Sequence, residues 1–264
     1  MNPTLAAQMT LAVYAAVAVA VIGWQMFRCP TGPVVWFLFV VERLYIGLMF
    51  RWSANGRCPV PQSGPALIIA NHLSPTDPLM LWMNHHLMRG GNGHPRAFGF
   101  MIAQEYARMP GVAWLCRISG AIPVARSGRD MGPAKAALER LREGRAIGVF
   151  PEGRLGQGDE LLPGNPGIAW LALRAGVPIY PVFIHDQPCS DSMVAPFLKP
   201  RKVRVSYGEP ILLDDYAEHR KTQDTLREVT TLLMTRLAEL GGVEYDPSQR
   251  PRQRFAVVPE SEAG

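Results

Sequence analysis

The first twenty-seven residues carry no charged side chain, and the first charge along the chain is Arg28. Within them, Leu11 to Phe27 is nearly continuous apolar sequence, broken only by Gly23 and Gln25. A helix that is apolar all round has no face for water and must be buried in protein or in lipid. At about 1.5 Å of rise per residue, this run reaches the lower limit for crossing a bilayer core of about 30 Å. It lacks the basic start of a cleaved leader and exceeds the usual leader's apolar length, so the expectation is an anchor. The competing reading is a pair of buried core helices.

A second apolar stretch, Pro33 to Val41, follows the break Cys29-Pro30-Thr31-Gly32 and continues as far as Trp52, with Glu42, Arg43 and Arg51 interspersed. That mixture predicts a helix at the membrane interface or the second arm of a helical hairpin. Arg28, Arg43, Arg51 and Arg57 all follow the first segment, and no Lys or Arg precedes it. The positive-inside rule therefore predicts a membrane protein whose remaining bulk lies on the cytoplasmic face. Residues 1–57 are read as membrane-anchoring helices, 58–243 as the main domain and 244–264 as a loose Pro-rich tail. The net charge of +5 suits an anionic membrane surface. No zinc-finger spacing, RNA-binding motif or long basic run supports nucleic acid as a partner. Cys29, Cys58, Cys116 and Cys189 are too far apart for a metal site or disulfide framework.

Beyond residue 58, strand-like and helix-like segments alternate. Strands are predicted at 66–70, 121–124, 146–150, 179–184 and 203–207, and 97–103 is a second apolar run. Helices are predicted over 78–87, 112–118, 132–143, 168–175 and 225–240. This order argues an α/β domain with a largely parallel sheet flanked by helices. In such sheets the sites gather at the C-terminal ends of strands.

The polar motifs fall at those ends. After Ala66-Leu67-Ile68-Ile69-Ala70 comes Asn71-His72-Leu73-Ser74-Pro75-Thr76-Asp77. A strand, a tight reversal and a helix start can fold Asp77 back onto His72. A carboxylate on one ring nitrogen fixes the tautomer and raises the basicity of the other, which makes a general base. Backbone donors near the Asn71 turn are candidates for an oxyanion site. The strand at 146–150 ends in Phe150-Pro151-Glu152-Gly153-Arg154, and the one at 121–124 runs into Ala125-Arg126. Two arginines at neighbouring strand ends can grip a phosphate bidentately. His85-His86, His94 and the His185–Cys189 stretch are weak metal candidates and are read as loop or helix surface.

These segments, with Val177-Pro178-Ile179-Tyr180-Pro181-Val182 and in this order, resemble the glycerolipid acyltransferase family, the 1-acylglycerol-3-phosphate acyltransferases and their relatives. The resemblance covers roughly residues 62 to 213. It implies transfer of a fatty acyl group from an acyl thioester, on coenzyme A or acyl carrier protein, to a lysophospholipid hydroxyl at the membrane, most simply giving phosphatidic acid. The thioester is a co-substrate, and no metal or cofactor is implied. Carried over, His72 is the general base and Asp77 its orienting partner. Arg126 and Arg154 hold the acceptor phosphate, and Glu152 and Gly153 shape the pocket around its glycerol.

One departure stands out. Many phosphatidic-acid-forming members read Phe-Pro-Glu-Gly-Thr-Arg, whereas here Arg154 follows Gly153 directly. That leaves open lysophosphatidylethanolamine or a lyso-aminolipid such as lyso-ornithine lipid as the acceptor. Two other classes stay open: a hydrolase with a metal on His72 and Asp77, and a non-enzymatic membrane lipid-binding scaffold.

Overall fold

The computed structural model describes residues 3–56, 58–82, 96–125, 131–156, 160–187, 192–216, 219 and 222–248. In chain order the elements are α1 (Pro3–Arg28), α2 (Pro33–Met49), β1 (Phe50–Asn55), β2 (Ala66–Ala70), α3 (Asp77–Trp82), β3 (Gly99–Ala103), α4 (Gln104–Ala107), α5 (Val112–Ser119), β4 (Ile122–Val124), α6 (Gly132–Arg142), β5 (Ala146–Val149), α7 (Gly167–Ala175), β6 (Ile179–His185), α8 (Ala195–Leu198), β7 (Arg201–Tyr207) and α9 (Gln223–Gly241).

The strands form one seven-stranded sheet in the order β1-β7-β6-β2-β5-β3-β4. Every pairing is parallel except β6 with β7, which is antiparallel. The expected largely parallel sheet flanked by helices is therefore what the chain builds. β2 sits at the centre, and all five of its residues are buried. Its side chains alternate between two cores, as a strand covered on both faces requires. Ile68 joins Phe39 and Ile46 of α2, Met80 and Leu81 of α3, and Phe100 on one side. Leu67 and Ile69 join residues of α6, α7 and α9 on the other. The last helix is held at its start by Thr222, whose hydroxyl accepts the Thr225 N–H.

The N-terminal region divides differently from the sequence expectation. α1 is long and apolar enough to cross a membrane by length and composition, and none of its residues is buried. The buried-core reading fails for this helix. α2 does bury a stripe, Val35, Phe39, Glu42 and Ile46. The helix expected to carry on to Trp52 ends at Met49, and Phe50–Asn55 becomes an edge strand paired with β7. The physical reason is its alternating burial: Phe50 is buried and Arg51 and Ser53 are exposed, a period of two that suits a half-covered strand. The predicted helix over 78–87 is described as far as Trp82, and its remainder lies outside the described residues.

The register decides where the chain enters the sheet. His185 pairs with Arg204, and Phe50 pairs with Arg201, which lies beyond it. The α2–β1 junction therefore lies at the same edge as the C-terminal ends of β2, β5 and β6.

Candidate active site

The turn after β2 is tied down at nearly every polar group. Asn71 stitches it to β6: its side-chain oxygen accepts the Ile184 N–H at 2.7 Å, and its amide donates to the Ile184 carbonyl at 3.0 Å. The Asp77 carboxylate, fully buried, folds back as the sequence suggests. Its Oδ2 accepts the Leu73 and Ser74 N–H groups at 2.7 and 2.8 Å and lies 3.0 Å from Nδ1 of His72. A single oxygen thus receives both backbone donors and the imidazole, which fixes the ring's tautomer and orientation together. The His72 side chain is 19% exposed, enough for a substrate to reach it.

Glu152 reaches the same turn from the end of β5. Its Oε1 accepts the His72 N–H at 2.8 Å and its Oε2 accepts the Leu162 N–H at 3.0 Å. The sequence reading gives Glu152 a part in shaping the acceptor pocket. The structure turns both its oxygens onto backbone, where they brace the segment that carries His72. Gly156 completes the brace by donating its N–H to the His72 carbonyl at 2.7 Å. Gly153 stands between Glu152 and Arg154 at φ 66°, in the left-handed region that favours glycine, and its N–H bonds back to Phe150. Arg154 follows it, half-buried. Arg126, the other expected phosphate ligand, lies outside the described residues, as do His85, His86, His94 and Cys189.

Burial raises the Glu152 pKa from 4.5 to about 7, against the opposing pull of the Leu162 and His72 N–H donors. A carboxyl whose folded pKa is raised contributes most to stability at acid pH and loses that contribution as pH climbs through the folded value. Glu152→Gln does not titrate and keeps one acceptor oxygen for two donors. The wild type's margin in melting temperature over Glu152→Gln is therefore expected to narrow between about pH 4.5 and about 7. Thermal melts of both proteins across that range check it, and a margin that widened would show that the two N–H donors outweigh burial at this carboxyl.

The amides that follow Asn71 have partners within the protein. The His72, Leu73 and Ser74 N–H groups are taken by Glu152 and Asp77, Pro75 has none, Thr76 donates to the Ser74 hydroxyl, and Asp77 donates to the Ser74 carbonyl. These five amides of the turn are thus engaged within the protein.

Two contributors escaped the sequence reading. The Phe150 ring stacks on the His72 ring at 4.0 Å and 13°, and Phe100 lies parallel to Phe150 at 5.7 Å and 15°. Phe100 in turn occupies the space over Gly148, where an added Cβ would come within 2.2 Å of its ring. A glycine inside a strand pattern signals close approach, and Ala146-Ile147-Gly148-Val149 carried that signal.

A buried carboxylate thus orients a partly exposed imidazole at the C-terminal edge of a mostly parallel sheet, a geometry suited to proton transfer. Residues 52–185, just over half of the chain, match the acyltransferase family model, and the chain belongs to that family. It is 30% identical over 131 residues to a 1-acyl-sn-glycerol-3-phosphate acyltransferase of Borreliella burgdorferi, covering 48% of each chain. It is also 30% identical over 150 residues to a lyso-ornithine lipid O-acyltransferase of Pseudomonas aeruginosa, covering 56% of this chain and 52% of that one. The chain spans about half the length of these curated relatives. Its fold is similar to the crystal structure of the 1-acyl-sn-glycerophosphate acyltransferase PlsC from Thermotoga maritima, with a TM-score of 0.60 at 20% identity over 90% of this chain and 94% of that one.

Proposed function

We propose that this protein moves a fatty acyl group from an acyl thioester, on coenzyme A or acyl carrier protein, to the free hydroxyl of a lysophospholipid at the cytoplasmic face of a membrane. The first acceptor is 1-acylglycerol-3-phosphate and the product phosphatidic acid. The observation that carries this reading is the His72–Asp77 pair, with Nδ1 held by a buried carboxylate in a chain of the acyltransferase family.

With Nδ1–H donating to Asp77, Nε2 is the basic nitrogen. It takes the proton of the acceptor hydroxyl as the oxygen attacks the thioester carbonyl. The tetrahedral intermediate collapses to the new ester, the C–S bond breaks, and the thiolate takes the proton back from the imidazolium. A thiolate leaves readily, so one acid–base residue serves both steps. Asp77 stabilises the imidazolium between them, and Arg154, with Arg126, supplies charge for the acceptor's phosphate. No metal or cofactor takes part in this scheme.

A second acceptor deserves the same assay. The Arg that follows Gly153 directly, and the similarity to a lyso-ornithine lipid O-acyltransferase, favour lyso-ornithine lipid as an alternative substrate. The test is transfer from labelled oleoyl-coenzyme A, and from oleoyl acyl carrier protein, to a panel of lysophospholipids and lyso-ornithine lipid in detergent. Product from lysophosphatidate well above that from acceptors without phosphate supports the first reading. Product from lyso-ornithine lipid alone moves the assignment to the second, and no transfer from either donor to any acceptor overturns both.

A further inference from the structure

The edge of the sheet where the chain enters carries an exposed surface that the chemistry does not use. α2 buries one stripe and exposes another that is wholly apolar, Phe37, Val41, Leu44 and Leu48, spaced to lie on one helical face. Beside it stands α8, fixed by the Tyr45 hydroxyl of α2, which donates to the Phe197 carbonyl at 2.6 Å. Val194, just before α8, is 64% exposed, and Leu198 at its end is 70% exposed. Large apolar side chains this exposed, on an element tied to α2 through Tyr45, stand beside its bare face.

Cations border this patch. Lys199, Arg201 and Lys202 follow Leu198 directly, and Arg51 of β1 pairs in register with Lys202 of β7. Like charges directly opposite across a strand pair cost stability unless an anion lies over them. The chain has no Asp or Glu from Arg43 to Thr76 or from Ser192 to Gly208. Among the described residues, Arg51, Lys199 and Lys202 make no ion pair. The Arg201 guanidinium is turned inward onto Gln187 and the Lys199 carbonyl.

We propose that α8 and the start of β7 form a second membrane-contact ledge, apolar at Val194 and Leu198 and rimmed by Arg51, Lys199 and Lys202, which rests on an anionic lipid leaflet. This rests on the proposed action on membrane lipids, and adds to α1 a contact with its own lipid preference. The ledge inserts shallowly, and its cations meet lipid phosphates at the headgroup level. Each cation removed should weaken the contact about five-fold.

The test uses the full chain with an environment-sensitive fluorescent side chain at position 194, and separately at position 17 in α1. The vesicles are phosphatidylcholine with or without phosphatidylglycerol. A blue shift at 194 that grows with phosphatidylglycerol, and falls roughly a hundred-fold in lipid affinity in Arg51→Gln/Lys199→Gln/Lys202→Gln, is the expected result. A probe at 17 in hydrocarbon with 194 still in water overturns the ledge and leaves the anchor standing. A shift at 194 with none at 17 supports the ledge and rejects the anchor. Equal shifts at 194 in both vesicles, unmoved by the triple substitution, overturn the anionic contact, and water-like emission at both positions overturns ledge and anchor together.

Discussion

His72→Ala is expected to lower acyl transfer by about 10²–10⁴-fold, the ordinary worth of a positioned general base. The melting temperature should stay near that of the wild type. The backbone of His72 keeps both its bonds, to Glu152 and from Gly156, whatever side chain it carries. Removing the ring takes one hydrogen-bond partner from Asp77 and one stacking face from Phe150, at a position still open to solvent. Rates measured at saturating acceptor, beside thermal melts of the same preparations, separate the two effects. Transfer within a few-fold of wild type would remove His72 from the chemistry.

Asp77→Ala should behave in the opposite way, losing stability as well as rate. It strips the shared acceptor from the Leu73 and Ser74 N–H groups around a fully buried position. Each orphaned buried donor costs about 1–3 kcal/mol, and in a domain of this size each kcal/mol lowers the melting temperature by about 2–4 °C. Asp77→Asn separates the charge from the scaffold. The two backbone donors hold its side-chain oxygen where Oδ2 stands, so Nδ1–H still has an acceptor and the tautomer is kept. The negative charge opposite the imidazolium is gone. Its melting temperature should therefore lie between those of the wild type and Asp77→Ala, while its rate falls markedly. An Asp77→Ala protein that melted with the wild type would show that the carboxylate is not what holds the turn.

The contrast between these two residues marks what sequence could reveal. His72 and Asp77 lie five residues apart in one strand–turn–helix segment, so local propensities alone bring them together. Glu152 sits in a legible motif, but its partner is the N–H of a residue eighty positions earlier, and the purpose of its two oxygens appears only when β2 and β5 pair. Phe150 was visible as a letter in that motif and not as the floor under an imidazole. The edge strand β1 was hidden for a related reason. Its alternation is short, it continues an apolar run with helical character, and its partner β7 arrives some 150 residues later. The antiparallel turn of β7 likewise has no local signature in the chain.

That late antiparallel strand has a consequence for how a lipid meets the enzyme. By reversing direction, β7 carries the parallel partner β1, and with it the chain's apolar start, to the edge where His72 stands. Had β7 run parallel to β6, the same pairing would have put α2 at the opposite ends of the strands, a strand's length away from His72. On the proposed function, a single-tailed lipid then has only to lift its glycerol to the water line, with most of its tail still among its neighbours. Each methylene left in hydrocarbon avoids about 0.8 kcal/mol of exposure to water. An acceptor that had to leave the membrane completely would meet that penalty along its whole tail, before any proton had moved.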